Sequence, residues 1–315
     1  MSQAKRTFSL IRALQMAAAF GVLATAMFLG GMWAIARDPE IDIGAMGDRV
    51  IEAKHGLPAA VVRRRDKVLE TLQQGSLPPW AGEYFEGDGL GMNVRISLAP
   101  GAGVVATWNG CLGLYSAKEG DVQRRADGSL AFVFNQPNGD GSGFDPGTFA
   151  TDVMPVRWGE RRYLIPRDRM IEFVNAVNFG SEPREHTHGV FLLAQGDEAK
   201  PVSGLPELPE ALRARIRQKP LIVGLSSVEP GVRRGGADFA FCEFRVRFEV
   251  ANGELLAPGQ ELAVVEPPGV HEDVEVLEVA GTQALAKIRF FRNCIEMKRK
   301  PEPGWLISTG AYTPN

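Results

Sequence analysis

Phe244-Arg245-Val246-Arg247-Phe248-Glu249-Val250 sets an apolar side chain at every second position and a charged one between. Successive side chains of a strand leave opposite faces, so this is a β-strand with one dry and one wet side. Downstream, Asn252-Gly253 and Pro258-Gly259 supply turns. Glu261 to Val265, Val274 to Val279 and Ala284 to Phe290 read as further strands, and Trp305 to Thr309 closes the unit. Short strands at this spacing from Lys219 onward predict a small β-barrel or sandwich over residues 219–315.

Upstream, a second β region spans residues 76–204. Pro78-Pro79 stops what precedes it and Trp80-Ala81-Gly82-Glu83-Tyr84-Phe85 opens it. Asn93-Val94-Arg95-Ile96-Ser97-Leu98 alternates polar with apolar, Pro100-Gly101-Ala102-Gly103 turns the chain, and Val104 to Trp108 returns to a turn at Asn109-Gly110. A strand pair around Gly120 to Asn135 turns at Asp127-Gly128, and the series continues through Val153 to Ile165 and Val190 to Ala194. This is an antiparallel meander, barrel-like, and not a βαβ series. One helix interrupts it over residues 167–178, where Met170, Phe173, Val174 and Val177 form a stripe that packs on the sheet. A helical linker, residues 205–218, with its helix from Glu210 to Gln218, joins the two β units.

The N-terminal part is of another kind. Behind a basic tail, residues 1–12, the 24 residues from Ala13 to Ala36 carry no charge. As a helix they would extend about 36 Å, enough to cross a hydrocarbon core of roughly 30 Å. Lys5, Arg6 and Arg12 precede the run and Asp38, Glu40 and Asp42 follow it, which orients the remainder to the extracytoplasmic side. The expectation is a transmembrane anchor in the inner membrane, marked at its outer end by Trp33. The alternative is a signal peptide cut after Ala36, because Ala34-Ile35-Ala36 fits a small-x-small site. Residues 37–75 read as a juxtamembrane helical stalk, opened by Pro58 and closed by Gly75. Its cluster Arg63, Arg64, Arg65 and Lys67 is either a solvated face or a contact for anionic lipid.

The composition, 44% hydrophobic and 23% charged, is that of a globular chain. A formal net charge of −3 gives no reason to expect a nucleic-acid partner. Three cysteines allow at most one intramolecular bridge. Cys242 and Cys294 are the candidates, both on expected strands of one unit in an oxidising compartment, and their loop of about 50 residues would stabilise the fold by roughly 4 kcal/mol. No C-x-x-C is present, so neither a thiol redox motif nor a zinc ribbon is signalled.

The chemistry-bearing residues form no complete constellation. His186-Thr187-His188 could present two imidazoles, but no H-E-x-x-H frame accompanies them. Asn138-Gly139-Asp140-Gly141-Ser142-Gly143 echoes a calcium loop whose twelfth position, Phe149, cannot supply the bidentate carboxylate. Gly87-Asp88-Gly89-Leu90-Gly91 lacks the Gly-Lys-Ser/Thr of a phosphate loop. Asp88, Asp140 and Asp145 are the carboxylates a hydrolase would use. Trp80, Tyr84, Trp108, Cys111 and Tyr115 either line a small apolar pocket or fill a β core. No cofactor or metal ligand set is signalled.

Trp80 to Asn93, Trp108 to Tyr115 and Val156 to Pro166, with the helix ending Phe173-Val174-Asn175-Ala176-Val177-Asn178, resemble a family of exported bacterial envelope proteins. That family has no established activity, so the resemblance implies an address and no site residue. Trp80-x-Gly82-x-Tyr84 ahead of a meander is similar to the opening strand of lipocalin-like barrels, with the order of Gly and Trp reversed. Asn252-Gly253 followed by Pro258-Gly259-x-x-Leu262-x-Val264 resembles small β domains of flagellar and cell-shape envelope proteins.

The expectation is therefore a mainly β envelope protein tied to the lipid bilayer through residues 13–36, with a non-enzymatic binding or scaffolding role. The alternatives are a lipocalin-like carrier of a small apolar ligand and a hydrolase. An envelope protein or a small apolar molecule would be the partner.

Overall fold

The structure, a computed structural model, describes residues 56–87, 93–110, 113–138, 148–180, 191–235, 240–251, 256–292, 294, 295, 297 and 299–310. The apolar run from Ala13 to Ala36 lies outside them. Among the described residues no helix is long and apolar enough to cross a membrane.

The first described element is helix α1, Ala59–Leu72, which Pro58 starts without any side-chain cap. Its Val61 and Val68 are buried, and Val68 and Leu72 pack on Ala99 and Ala102. Arg64 donates through Nε to Glu119 Oε2 at 2.9 Å and through Nη1 to the Ala102 carbonyl at 3.0 Å, and Lys67 Nζ donates to the Gly101 carbonyl at 3.0 Å. The stretch expected as a free stalk thus lies against the β region in its described part. Its narrow apolar stripe has a partner to cover, and Arg64 and Lys67 both reach the turn at Gly101 and Ala102, Arg64 half-buried and Lys67 exposed.

Eight strands follow: β1 Gly82–Glu86, β2 Asn93–Ala99, β3 Gly103–Gly110, β4 Gly113–Arg124, β5 Leu130–Phe134, β6 Asp152–Trp158, β7 Arg161–Pro166 and β8 Leu192–Ala194. They pair antiparallel in chain order, and β8 returns to β1 through Tyr84↔Ala194 and Phe85↔Leu193, closing an up-and-down barrel. Asn109-Gly110, expected as a turn, stays in β3 and pairs with Leu114 and Gly113 across a bulge. Inward parity on β2 selects Val94, Ile96 and Leu98; these meet Tyr84, Leu130, Phe132, Leu164 and Leu192 in the interior. An eight-stranded barrel leaves an interior that either such side chains fill or one small ligand occupies.

Strands β6 to β8 are buried on both faces, which explains the unbroken apolar run Tyr163-Leu164-Ile165. Leu164 and Leu192 point inward, while Tyr163, Ile165 and Leu193 face helix α2, Met170–Asn178, entered through a short 3-10 turn at Arg167–Arg169. The expected stripe, Met170, Phe173, Val174 and Val177, is wholly buried there. Phe173 meets Tyr163 and Phe191 edge to face, with ring centroids 5.6 Å apart in each case.

The linker helix is shorter than expected: α3 spans only Glu210–Arg213. Asn178, on α2, explains the stop. Its amide donates to the Arg215 carbonyl at 3.1 Å and its Oδ1 accepts the Arg217 N–H at 2.8 Å, capturing backbone groups that a longer helix would have used itself.

The second β unit contains β9 Ile222–Val228, β10 Val232–Gly235, β11 Ala240–Glu249, β12 Glu261–Glu266, β13 Asp273–Ala280, β14 Gln283–Phe290 and β15 Leu306–Ser308. The ring runs β9-β11-β14-β13-β12-β15 and back to β9, with β10 beside the first half of β11. This is a barrel and not a sandwich. The C-terminal strand β15 closes it, inserted between β12 and β9. Phe244, Val246, Phe248 and Val250 lie inside, as the period-2 pattern requires, while the Asn252-Gly253 turn lies outside the described residues. A disulfide joins Cys242 to Cys294 with Cα atoms 5.0 Å apart, pinning the start of β11 to the segment after β14.

The two barrels meet at α2. Asn175, 3% exposed, donates to the Gly259 carbonyl at 3.0 Å and accepts the Glu261 N–H at 3.2 Å. Both partners sit where the chain enters β12, so one buried amide ties a helix on the first barrel to a strand of the second.

Candidate functional site: a cationic cleft on the outer face of the first barrel

Because β1 to β4 alternate, every second residue leaves the core and stands on the barrel's outside. Register aligns these outward residues in rows: Phe85, Arg95 and Thr107 form one, and Asn93 and Asn109 another. The start of α1 roofs this surface through Gly56, Leu57 and Arg65, leaving a cleft of about 350 Å³. That volume lies in the range that holds a small organic molecule.

The lining carries two guanidinium groups, Arg65 and Arg95, and no carboxylate. Neither arginine forms an ion pair among the described residues. Arg95 lies over the Phe85 ring at 5.8 Å, which holds its plane near the cleft. Two acids on the same outer face have partners of their own. Glu83 Oε1 accepts the Ser97 hydroxyl at 3.2 Å, and Glu119 takes Arg64 at 2.9 Å and Asn135 at 2.8 Å. Burial opposes the Glu119 charge, yet the hydrogen bonds from Asn135 and Arg64 prevail and hold its carboxyl below the usual range. Two guanidinium groups therefore line the cleft, with the Glu83 carboxylate held against the hydroxyl of Ser97, which is also part of the lining.

The five residues expected either to line a pocket or to fill a core divide. Trp80, Tyr84 and Trp108 belong to the barrel interior or pack against it. The Tyr84 hydroxyl donates to the Trp80 carbonyl at 3.1 Å, and burial pushes its phenol pKa up, so it remains neutral. The Trp108 indole meets Phe149 edge to face at 6.5 Å, and its Nε1 is buried without an acceptor among the described residues. Tyr115 instead covers Gly110, where an added Cβ would meet its ring at 2.0 Å. Cys111 lies outside the described residues, as do Asp88, Asp140, Asp145, His186 and His188. Among the described residues no cluster of His, Cys, Asp or Glu could hold a metal ion.

Sequence reading missed Arg65 and Arg95 as a pair. The signal was present in the outward parity of Asn93, Arg95, Thr107 and Asn109 on adjacent strands, but the register that aligns them is a tertiary fact. Arg65 was one of four basic residues on a helix, and only the docking of α1 singles it out.

Compared with models of protein families, with curated proteins and with solved structures, the chain finds no match in any of the three.

Proposed function

We propose that this chain is a single-pass envelope protein, held at the cytoplasmic membrane by Ala13 to Ala36, whose two extracytoplasmic barrels bind or scaffold a partner and perform no catalysis. The observation that carries the reading is where the fold leaves its polar chemistry. Both barrels pack their inward residues tightly, with Leu98, Leu130, Val246 and Phe248 fully buried, while Arg65, Arg95 and Thr107 stand on an outer cleft. The Cys242–Cys294 bridge suits an oxidising compartment, which supports the address.

Two measurements test it. A periplasm-dependent reporter fused behind Asn315 should be active, and photo-crosslinkers at Arg95 and Thr107 in living cells should capture a discrete species. Activity only for a cytosolic reporter sinks the address, and turnover of generic ester, phosphate or peptidoglycan substrates by the purified protein sinks the non-enzymatic role.

A lipocalin-like carrier is the second reading. It draws on the closed eight-stranded meander and on the Trp108 Nε1 donor, which is buried with no acceptor among the described residues. The packed interior speaks against it, since a ligand would have to displace side chains such as Phe132 and Leu130.

A further inference from the structure

The geometry points to the outer cleft of the first barrel as a binding site for a phosphate monoester, gripped by Arg65 and Arg95. This deepens the binding role proposed above, rests on it, and names the ligand chemistry.

Three features converge on an oxyanion. The two guanidinium groups come from different elements, α1 and β2, and face one cleft whose lining, among the described residues, includes no acid. Each guanidinium can present two parallel N–H donors to oxygens on phosphorus. Two such forks satisfy a tetrahedral dianion, whereas a carboxylate needs only one. Next, Gly56 and Leu57 line the cleft immediately before the 14-residue helix α1, so the helix begins at its rim. No side chain caps that end and no acidic residue stands in its first turn, so no described residue of that turn cancels its partial positive charge.

The remaining lining describes the rest of the molecule. Asn109 and Thr107 offer amide and hydroxyl groups suited to alcohol oxygens, while Phe85 and Leu114 form an apolar wall. A phosphorylated polyol of glycerol or sugar size fits this mixture and a cleft of about 350 Å³. The same headgroup chemistry occurs free in solution and at the surface of a phospholipid.

The test uses the full chain in a non-ionic detergent and titrates it calorimetrically with two probes. One is glycerol 3-phosphate; the other is dihexanoyl phosphatidic acid, kept below its micelle concentration. Saturable binding is expected, weakened about tenfold or more by Arg95→Gln and by Arg65→Gln. Both side chains are at the surface, and an unchanged thermal transition in each variant shows that folding is intact. Binding of both probes assigns a free ester as sufficient, and binding of the short-chain lipid alone assigns a lipid headgroup. Either result supports the site. Absence of binding by both probes, or variants that bind as the parent does, overturns it. A protein that binds neither probe yet still cross-links a discrete envelope species loses this site and keeps its binding role.

Discussion

Replacing Glu261 with Gln should make the protein more stable above neutral pH and leave it unchanged in acid. Glu261 begins β12 at the joint between the barrels. Burial is the main reason its carboxyl is pushed up to about 7, and repulsion from Asp273, Glu172 and Glu275 adds to it. These carboxylates come from every element that faces it. Asp273 and Glu275 stand on β13, with Glu275 bonded to Lys287 Nζ at 2.7 Å, and Glu172 stands on α2, bonded to Arg169 at 2.6 Å. The ordinary value of a glutamate carboxyl is 4.5, so the difference is roughly 2.5 units, or about 3.5 kcal/mol as an upper bound. The side chain is only partly buried and water screens it, which reduces the expected cost to about 1–2 kcal/mol.

The folded state holds the proton more tightly than the unfolded one. Stability is therefore full below about pH 4, falls as pH rises, and has lost this contribution once pH passes about 7. Glu261→Gln removes the ionisation and keeps the shape. Urea unfolding followed by tryptophan fluorescence between about pH 4 and pH 8 should show the two proteins coinciding at the acid end. They should separate by about 1–2 kcal/mol at the alkaline end, with the variant more stable. A gap of constant size across the range, or one of opposite sign, would refute the reasoning.

Asn175→Leu should destabilise the fold by about 2–4 kcal/mol, because it removes two hydrogen bonds and strands the Gly259 carbonyl and Glu261 N–H in a buried joint. Calorimetry should then resolve the barrels as separate transitions. Cys242→Ser should cost roughly 4 kcal/mol, given a separation of 52 residues between the bridged cysteines. Cys294→Ser added to it should cost little more, and reducing agent should abolish the difference between parent and variant. Gly120→Ala should cost about 2 kcal/mol or more, since a Cβ there would sit 2.0 Å from the Val133 carbonyl oxygen on the neighbouring strand. A shift of less than about 0.5 kcal/mol in chemical denaturation would show that β5 yields more easily than a closed barrel allows.

The residues alone determined the class and most of the elements. Alternation from Phe244 to Val250 and from Asn93 to Leu98 could produce only half-buried strands, because side chains leave a strand with period two. The stripe Met170, Phe173, Val174 and Val177 determined a helix with one covered face. The two β units were also legible, and Cys242 and Cys294 could be named as candidates for a bridge, but that they pair is read from the structure.

Tertiary structure decided closure, docking and the cleft. Nothing local to Tyr84 and Ala194 says that they pair; β8 finds β1 because an open edge leaves backbone donors and acceptors exposed. Nor does α1 carry any mark of its target. A helix with two buried valines packs wherever a complementary surface exists, and Ala99 and Ala102 supply one. The end of α3 was hidden for the same reason, since the Asn178 side chain that captures the chain at Arg215 and Arg217 lies on another helix. Periodicity tells a side chain which face of its own element it occupies. Which other face it meets depends on contacts distant in sequence, so Arg65 and Arg95 become one site only when the barrel has closed and α1 has settled on it.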